Sequence, residues 1–453
     1  MTPFLVGNAA GFSGDRVDAA APVVASLIAR RQPASLTFET LAERTLALGQ
    51  LARRAAPDAG FEPMLEQLLA PVLADCLRHA IPIVGNFGAA NPQAAAVRIA
   101  ALAASLGLSP PRIAVIEGDD VRHLLDQAVP WEGDPPVAPD DPKIVSANAY
   151  LSAFPIAEAL RAGAGIVVTG RCADPSLTLG PLIAHFGWTA TDFDQLAAGT
   201  LAGHLLECGS QVTGGYFADP GTKDVPGMER IGFPIAEVTA NGSITITKAD
   251  HTGGRVCRRT VIEQLLYEIH DPAAYLTPDV TLDITQVAVQ AAGPNRVLVT
   301  GARGRPPPGT LKATISLDGG FLGEGEIGYA GPGAFPRARL AGQTLRARPA
   351  VRALAHDARI DLVGLCALHD GDAGALAASR MPADPNGEFR VRLAARSATR
   401  GPAEAAAREV LALYCCGPAG GGGVRIAVTP RIATTSALVP AALVRPRVRF
   451  LPT

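Results

Sequence analysis

Apolar runs that end in glycine or a small polar residue alternate with alanine-rich helical periodicity through the first half of the chain. Residues 3–8, PFLVGN, are followed by GFSGDR and a helical pattern over 17–30; the same shape returns at 81–86, IPIVGN, with FGAANP and a helix over 93–106. Three further runs, RIAVIEGDD at 112–120, KIVSANAY at 143–150 and GIVVTG at 165–170, finish in the same way. Helices over 154–162 and from RCADPS through His185 follow the last two. Short apolar strands alternating with helices predict an α/β fold, a doubly wound, mostly parallel sheet over 1–225. Parallel strands put their carboxyl ends on one rim, where such sheets bind ligands, so Asn8, Asn86, Asn148 and Arg171 are expected there.

After Pro220 the alternation fades. ITITKAD at 244–250 reads as a strand and VIEQLLYEIHDP as a helix closing before Pro272. Residues 226–309 are therefore expected to be a connecting region packed on the first domain, with the proline-rich ARGRPPPG at 302–309 as its connector. Strands at 310–317 and 320–330, a helix from 337 to about 354, strands at 359–365 and 389–397, and a helix over 402–414 predict a smaller α+β sandwich domain over 310–453.

Composition narrows the partners more than the chemistry. A chain of 453 residues, 48% hydrophobic, can build more than one core. With 40 basic and 42 acidic residues it offers no electrostatic footprint for nucleic acid or an anionic membrane, and neither is expected as a partner. Arginine, glycine or proline interrupts every apolar run short of the ~20 residues that a membrane helix needs. The opening MTPFLVGNAAGFSG lacks the basic segment and apolar core of a secretory signal, so a cytoplasmic protein is expected. Seven cysteines without a CxxC pair fit reduced thiols, and adjacent Cys415 and Cys416 read as buried neighbours. Exposed glycine loops on an open sheet suggest a homo-oligomer.

Chemistry concentrates in a few loops. Gly7, Gly11 and Gly14 are spaced G-x3-G-x2-G, neither a dinucleotide fingerprint nor a Walker loop. Amides from Gly11 through Ser13 to Gly14 could cradle a carboxylate or phosphate, or Ser13 or Asp15 could cap the helix and take those donors. In TGRCADPS, Asp174 before Pro175 reads as an N-cap, which leaves the planar fork of Arg171 for an anion or for a structural salt bridge. In GHLLECGSQVTGGYFADP, His204, Glu207 and Cys208 fall at i, i+3 and i+4 on the last turn of a helix that Gly209 would end. That spacing matches no zinc site, and the helix C-terminal field raises a thiol pKa while favouring imidazolium. His204 is thus a candidate proton donor and Glu207 a base or an orienter, against a purely structural pair. Thr213, Gly214 and Gly215 supply flexible backbone that could wrap a ligand. Glu324 and Glu326 share one strand face, with Gly323 and Gly325 on the other; they are secondary acid-base candidates, a possible Mg²⁺ site, or a solvated face. GPAGGGG at 417–423 is a loop over a site or a linker.

GFSGDR at 11–16, VTGRCADPSLTLGPL at 168–182, GHLLECGSQVTGGYFAD at 203–219, HDPAAYLTPDV at 270–280, GEGEIGYAGP at 323–332 and GPAGGGG together resemble the acyclic terpene utilisation (AtuA) family. The resemblance runs in consistent order along nearly the whole chain. It implies a hydratase-type lyase acting on an unsaturated carboxylic acid or its acyl-CoA thioester, with no cofactor required by any motif. Arg171 and the first glycine loop, with Asn86, Asn148, Gly214 and Gly215, would then bind substrate; Glu207 would activate water and His204 protonate the α-carbon. Many family members carry an additional small C-terminal domain, so a separate small subunit is an expected partner. The alternatives are a non-catalytic ligand-binding or assembly subunit and a carboxylate-bound divalent-metal enzyme.

Overall fold

The computed structural model describes residues 2–131, 133–134, 136–368 and 379–452. The protein is mixed α/β and divides into two compact units, one of residues 1–316 with 434–453 and one of residues 317–433. Residues 220–309 lie within the first unit, and the chain returns to it after 433.

The first unit is built on a ten-stranded mixed sheet. Its centre is parallel, in the order Phe4–Asn8, Ala34–Phe38, Ile83–Gly85, Ile166–Thr169, Ile113–Glu117. Four of the five strands anticipated above are here, joined by Ala34–Phe38, which had not been anticipated. The fifth expected strand, Ile144–Ala149, lies outside this sheet and pairs with Thr310–Ala330. It is buried along its whole length, and such a run carries no alternation to say which sheet it joins. Pro234–Val238 pairs antiparallel with Phe4–Asn8, followed outward by Ile244–Lys248, Arg296–Thr300 and Ala288–Gly293. Arg447–Phe450 closes the other edge, antiparallel to Ile113–Glu117.

Alternate residues of the first strand enter different cores. Leu5 packs with Leu36, Ile83 and Val168 beneath the helices Ala20–Arg30 and Pro92–Ser105. Phe4 and Val6 pack with Leu179, Leu182, Leu201 and Leu205 from the helices Ser176–Phe186 and Phe193–Glu207. Period-2 alternation on a strand covered on both faces produces this division.

In the second unit the strands run in the order Ala358–Val363, Glu388–Ser397, residues 317–330 and residues 422–433, the first three antiparallel. The helices Ala334–Ala347 and Arg400–Cys416 share their core, around Ile327, Val391, Leu393 and Val410. Residues 310–330 form one strand rather than two: the Gly320 amide donates to Asp318 Oδ1 at 2.9 Å and Gly320 takes φ 74°, so the Asp-Gly-Gly sequence kinks the strand without turning it. The helix expected over 337–354 stops at Ala347, because Arg348 precedes Pro349 and is held extended. Cys415 and Cys416 are exposed, contrary to expectation. The buried stripe of their helix is Ala403, Ala406, Ala407, Val410 and Leu413, and neither cysteine falls on it. No helix among the described residues is long and apolar enough to cross a membrane.

Candidate active site

The parallel strands deliver Asn8, Glu39, Asn86, Asp119 and Arg171 to one rim, each at or just past its strand's carboxyl end. Arg171 is only 2% exposed. Its guanidinium donates to the Leu41 carbonyl and to Asp174 Oδ1, and its carbon lies 4.0 Å from the centre of the Tyr150 ring. A guanidinium taken out of water costs several kcal/mol unless it is paired, and this one is paired on two sides and stacked on a third. Both Nη nitrogens are therefore spent inside the protein, where Arg171 holds Asp174, and the buried Nε has no hydrogen-bond partner among the described residues.

Asp174 does not cap the helix Ser176–Phe186: Pro175 occupies the N-cap position, without a side-chain bond, and the Asp174 carboxylate turns back to Arg171. It keeps 34% of its side-chain surface. Burial among protein groups pushes its pKa up; Arg171 opposes this, while the charges of Glu207 and Glu43 add to it, and the result is about 7. Glu39, which accepts from Asn86 Nδ2 at 2.5 Å and from the Leu41 amide, is held well above the usual carboxylate range by burial and by the charge of Asp174. Asp119 is raised to about 6 by burial, although the Arg171 amide and Asn148 Nδ2 both donate to it.

The helix Phe193–Glu207 brings the second half of the site. It is buried from Leu196 onward, and a β-carbon at Gly203 would lie 2.5 Å from the Pro175 carbonyl oxygen. Glycine there lets the helix press onto the Asp174–Pro175 backbone, which explains why Asp174 feels the charge of Glu207. His204 Nδ1 lies 3.0 Å from Glu207 Oε1, as the i, i+3 spacing predicts. His204 is 1% exposed and its ring sits 5.6 Å from that of Tyr275. Burial pulls the imidazole pKa down, but the hydrogen bond and charge of Glu207 outweigh it and raise it. Glu207 is 8% exposed, and its Oε2 has no hydrogen-bond partner among the described residues. Burial, then the charge of Glu207, pushes the Cys208 thiol up, which argues against a nucleophilic role.

The first glycine loop lies against this turn: a β-carbon at Gly11 would come 2.5 Å from the Cys208 carbonyl carbon, and Asn8 Nδ2 donates to the Leu206 carbonyl at 2.8 Å. Of the loop's amides that of Gly11 is taken, because Asp15 accepts from Gly11 and Arg16 at 2.8 and 2.7 Å. Ser13 is half-buried, and Gly14 takes φ 86° with open space where a side chain would be. Asn86 and Asn148 are buried and serve as rim braces, Asn86 to Thr40 and Glu39, Asn148 to Asp119. Gly214 and Gly215 pack against Val225 and Ser210, so their small size serves the fold of their own loop.

Glu324 and Glu326 lie in the second unit, each bonded to an arginine of the neighbouring strand: Glu324 to Arg392, Glu326 to Arg390 at 2.9 Å. Gly323 and Gly325 do admit close backbone approach, to the carbonyls of Ala403 and Ala407. The two carboxylates form an ion-paired strand face. Among the described residues no group of three or more His, Cys, Asp or Glu side chains is placed to hold a metal ion.

A family model described as acyclic terpene utilisation family protein AtuA matches residues 4–450. The chain belongs to this family. Comparison with curated proteins and with solved structures finds no match. Membership of AtuA points to a catabolic role. Three of the segments that carry the AtuA resemblance build the site: 168–182 supplies Arg171 and Asp174, 203–219 supplies His204 and Glu207, and 270–280 supplies Tyr275, whose phenol is held far above its usual range by burial and by the charges of Glu207 and Asp174. Glu39 and Tyr275 were not legible as site residues. The one available signal for Glu39 was that the helix Ala20–Arg30 must be followed by a strand for a parallel crossover, which would have made Ala34–Phe38 a strand and Glu39 its rim residue.

Proposed function

We propose that the protein is a hydro-lyase of the hydratase type, adding water to or removing it from the double bond of an unsaturated carboxylic acid or its thioester in a catabolic sequence. The observation that carries this reading is Asp174, a partly exposed carboxyl with a pKa of about 7, held by a buried arginine and facing the charge of a second carboxylate, Glu207. A group half-protonated near neutrality can give a proton in one direction of the reaction and take it in the other.

In hydration, Glu207 accepts a proton from water as its oxygen bonds to the β-carbon, and the π electrons move to the α-carbon. Asp174 in its acid form then delivers a proton to that carbon. Water has added across the bond, and one proton passes from Glu207 back to Asp174 through solvent. His204, buried on Glu207 Oε1, orients that carboxylate and leaves Oε2 for water.

The test is turnover of a panel of branched unsaturated acids and their CoA thioesters, followed by loss of the conjugated double-bond absorbance. Asp174→Asn and Glu207→Gln should each lose on the order of 10²–10⁴ in kcat, the range for removal of a positioned acid or base. Full turnover in either variant would refute the assignment.

A further inference from the structure

Tyr150 is the hub of the rim beside Asp174. The Arg171 guanidinium carbon lies 4.0 Å from the centre of its ring and Lys312 Nζ 5.1 Å. Its hydroxyl is 2.5 Å from Glu43 Oε1, to which it donates, and 3.3 Å from Thr314 Oγ1. The Tyr150 amide donates to the Lys312 carbonyl at 2.9 Å, which fixes the two residues side by side.

The two cations over this ring differ in what they have left to give. The two Nη nitrogens of Arg171 are spent on Leu41 and Asp174, and the guanidinium as a whole is buried. Lys312 keeps 39% of its side-chain surface and is ion-paired to Glu43 Oε1 at 3.8 Å, beyond hydrogen-bond reach, while that oxygen accepts from the Tyr150 phenol. Burial alone would raise the Glu43 pKa, but the charge of Arg171 and the Tyr150 hydrogen bond outweigh it and keep Glu43 ionised, so that its field holds the ammonium in place. An ammonium whose three donors make no hydrogen bond to a described residue thus stands half-exposed on the Tyr150 ring that also carries Arg171, the partner of Asp174.

We propose that Lys312 anchors the carboxylate of the substrate and that the substrate is a free unsaturated monocarboxylic acid. The inference rests on the hydratase reading and narrows it. A thioester presents no carboxylate at this point, whereas a free acid does, and negative charge that develops on its oxygens as the α-carbon accepts electrons is stabilised by the ammonium beside them. Lys312 therefore both orients the acid and sets the preference over neutral derivatives.

The test is isothermal titration calorimetry on wild type, Lys312→Gln and Lys312→Arg with a C5–C10 series of branched unsaturated acids, from 3-methylbut-2-enoate upward, their methyl esters and their CoA thioesters. Wild type should bind at least one acid about tenfold or more tighter than its methyl ester, a difference typical of one charge-assisted pair. Lys312→Gln should bind acid and ester alike, and Lys312→Arg should keep most of the discrimination, which guards against a folding defect in the neutral variant. The proposal is overturned if no acid in the series binds wild type, if acid and ester bind equally, if Lys312→Gln still discriminates, or if the thioesters bind more tightly than the acids and lose that advantage in Lys312→Gln. Discrimination that vanishes in Lys312→Gln without any turnover leaves the anchor standing and removes the hydratase; turnover lost in Asp174→Asn with no acid–ester discrimination does the reverse.

Discussion

Asp174 sits between opposing pulls, burial and two neighbouring carboxylates on one side and Arg171 on the other, and their near balance at a pKa of about 7 is what makes it useful. A general acid must be protonated, so kcat/KM for hydration should fall about tenfold per pH unit once the pH passes roughly 7, and this alkaline limb should be absent from any residual rate of Asp174→Asn. Because the charge of Asp174 raises Glu39 while Glu207 and Glu43 raise Asp174, the pKa that a rate profile shows belongs to the cluster. His204 has a different part. Its Nδ1 meets Glu207 while the ring is sealed from solvent, so it acts through that carboxylate. Replacement by asparagine, whose amide can still donate to Glu207, should lower kcat by less than about tenfold, and replacement by alanine by about 10²-fold, with KM little changed in both. Equal losses in the two variants would show that the Nδ1 donor is not what matters.

At the scale of elements, the site depends on how closely two helices approach. A β-carbon at Gly203 would lie 2.5 Å from the Pro175 oxygen and 2.6 Å from its Cα, and backbone cannot step aside as a side-chain tip can. Gly203→Ala should cost about 1–3 kcal/mol of stability by urea denaturation and lower kcat, since it pushes Asp174 and Glu207 apart. A variant as stable and active as wild type would mean that their separation is set elsewhere. Much of this arrangement was readable beforehand, because the His204–Glu207 pair follows from helical spacing and the rim position of Arg171 from the apolar run before it. What Arg171 does with its donors was not readable, since Asp-Pro carries a strong local N-cap signal that an ion pair to a residue three positions earlier overrides. Ala34–Phe38 was missed because ASLTF is short and half polar, yet buried throughout by its neighbours in the sheet. Glu324 and Glu326 looked like an unpaired acidic face only because Arg390 and Arg392 belong to a strand more than 60 residues away.

For the whole molecule, the first unit keeps several carboxyls in surroundings that favour their neutral form, and stability should record it. Asp279 accepts the Ala153 amide with both oxygens, at 3.0 and 3.1 Å, and burial raises it to about 6; Asp119 is raised to about 6 as well. A carboxyl whose folded pKa exceeds its unfolded value, about 4, binds its proton more tightly in the folded state. Its contribution is therefore fully present below about pH 4 and is lost as the pH rises through about 6. For one group displaced by about two units the loss approaches ~3 kcal/mol. Asp279→Asn keeps an acceptor for the Ala153 amide and cannot ionise, so the variant should gain on wild type by about 2–3 kcal/mol between pH 4 and pH 7, whichever is the more stable at pH 4. Urea unfolding of both proteins at pH 4, 5, 6 and 7 checks this for the transition of the unit that holds Asp279, and the comparison cancels the opposite contribution of ion-paired surface carboxylates such as Asp18, whose pKa is lowered by its hydrogen bond to Arg16. A gap that stays constant over that range would mean that Asp279 is ionised in the folded protein at no cost, and that the polar ring around the Ala153 amide, including the Ser176 hydroxyl at 3.4 Å, solvates the carboxylate as well as water does.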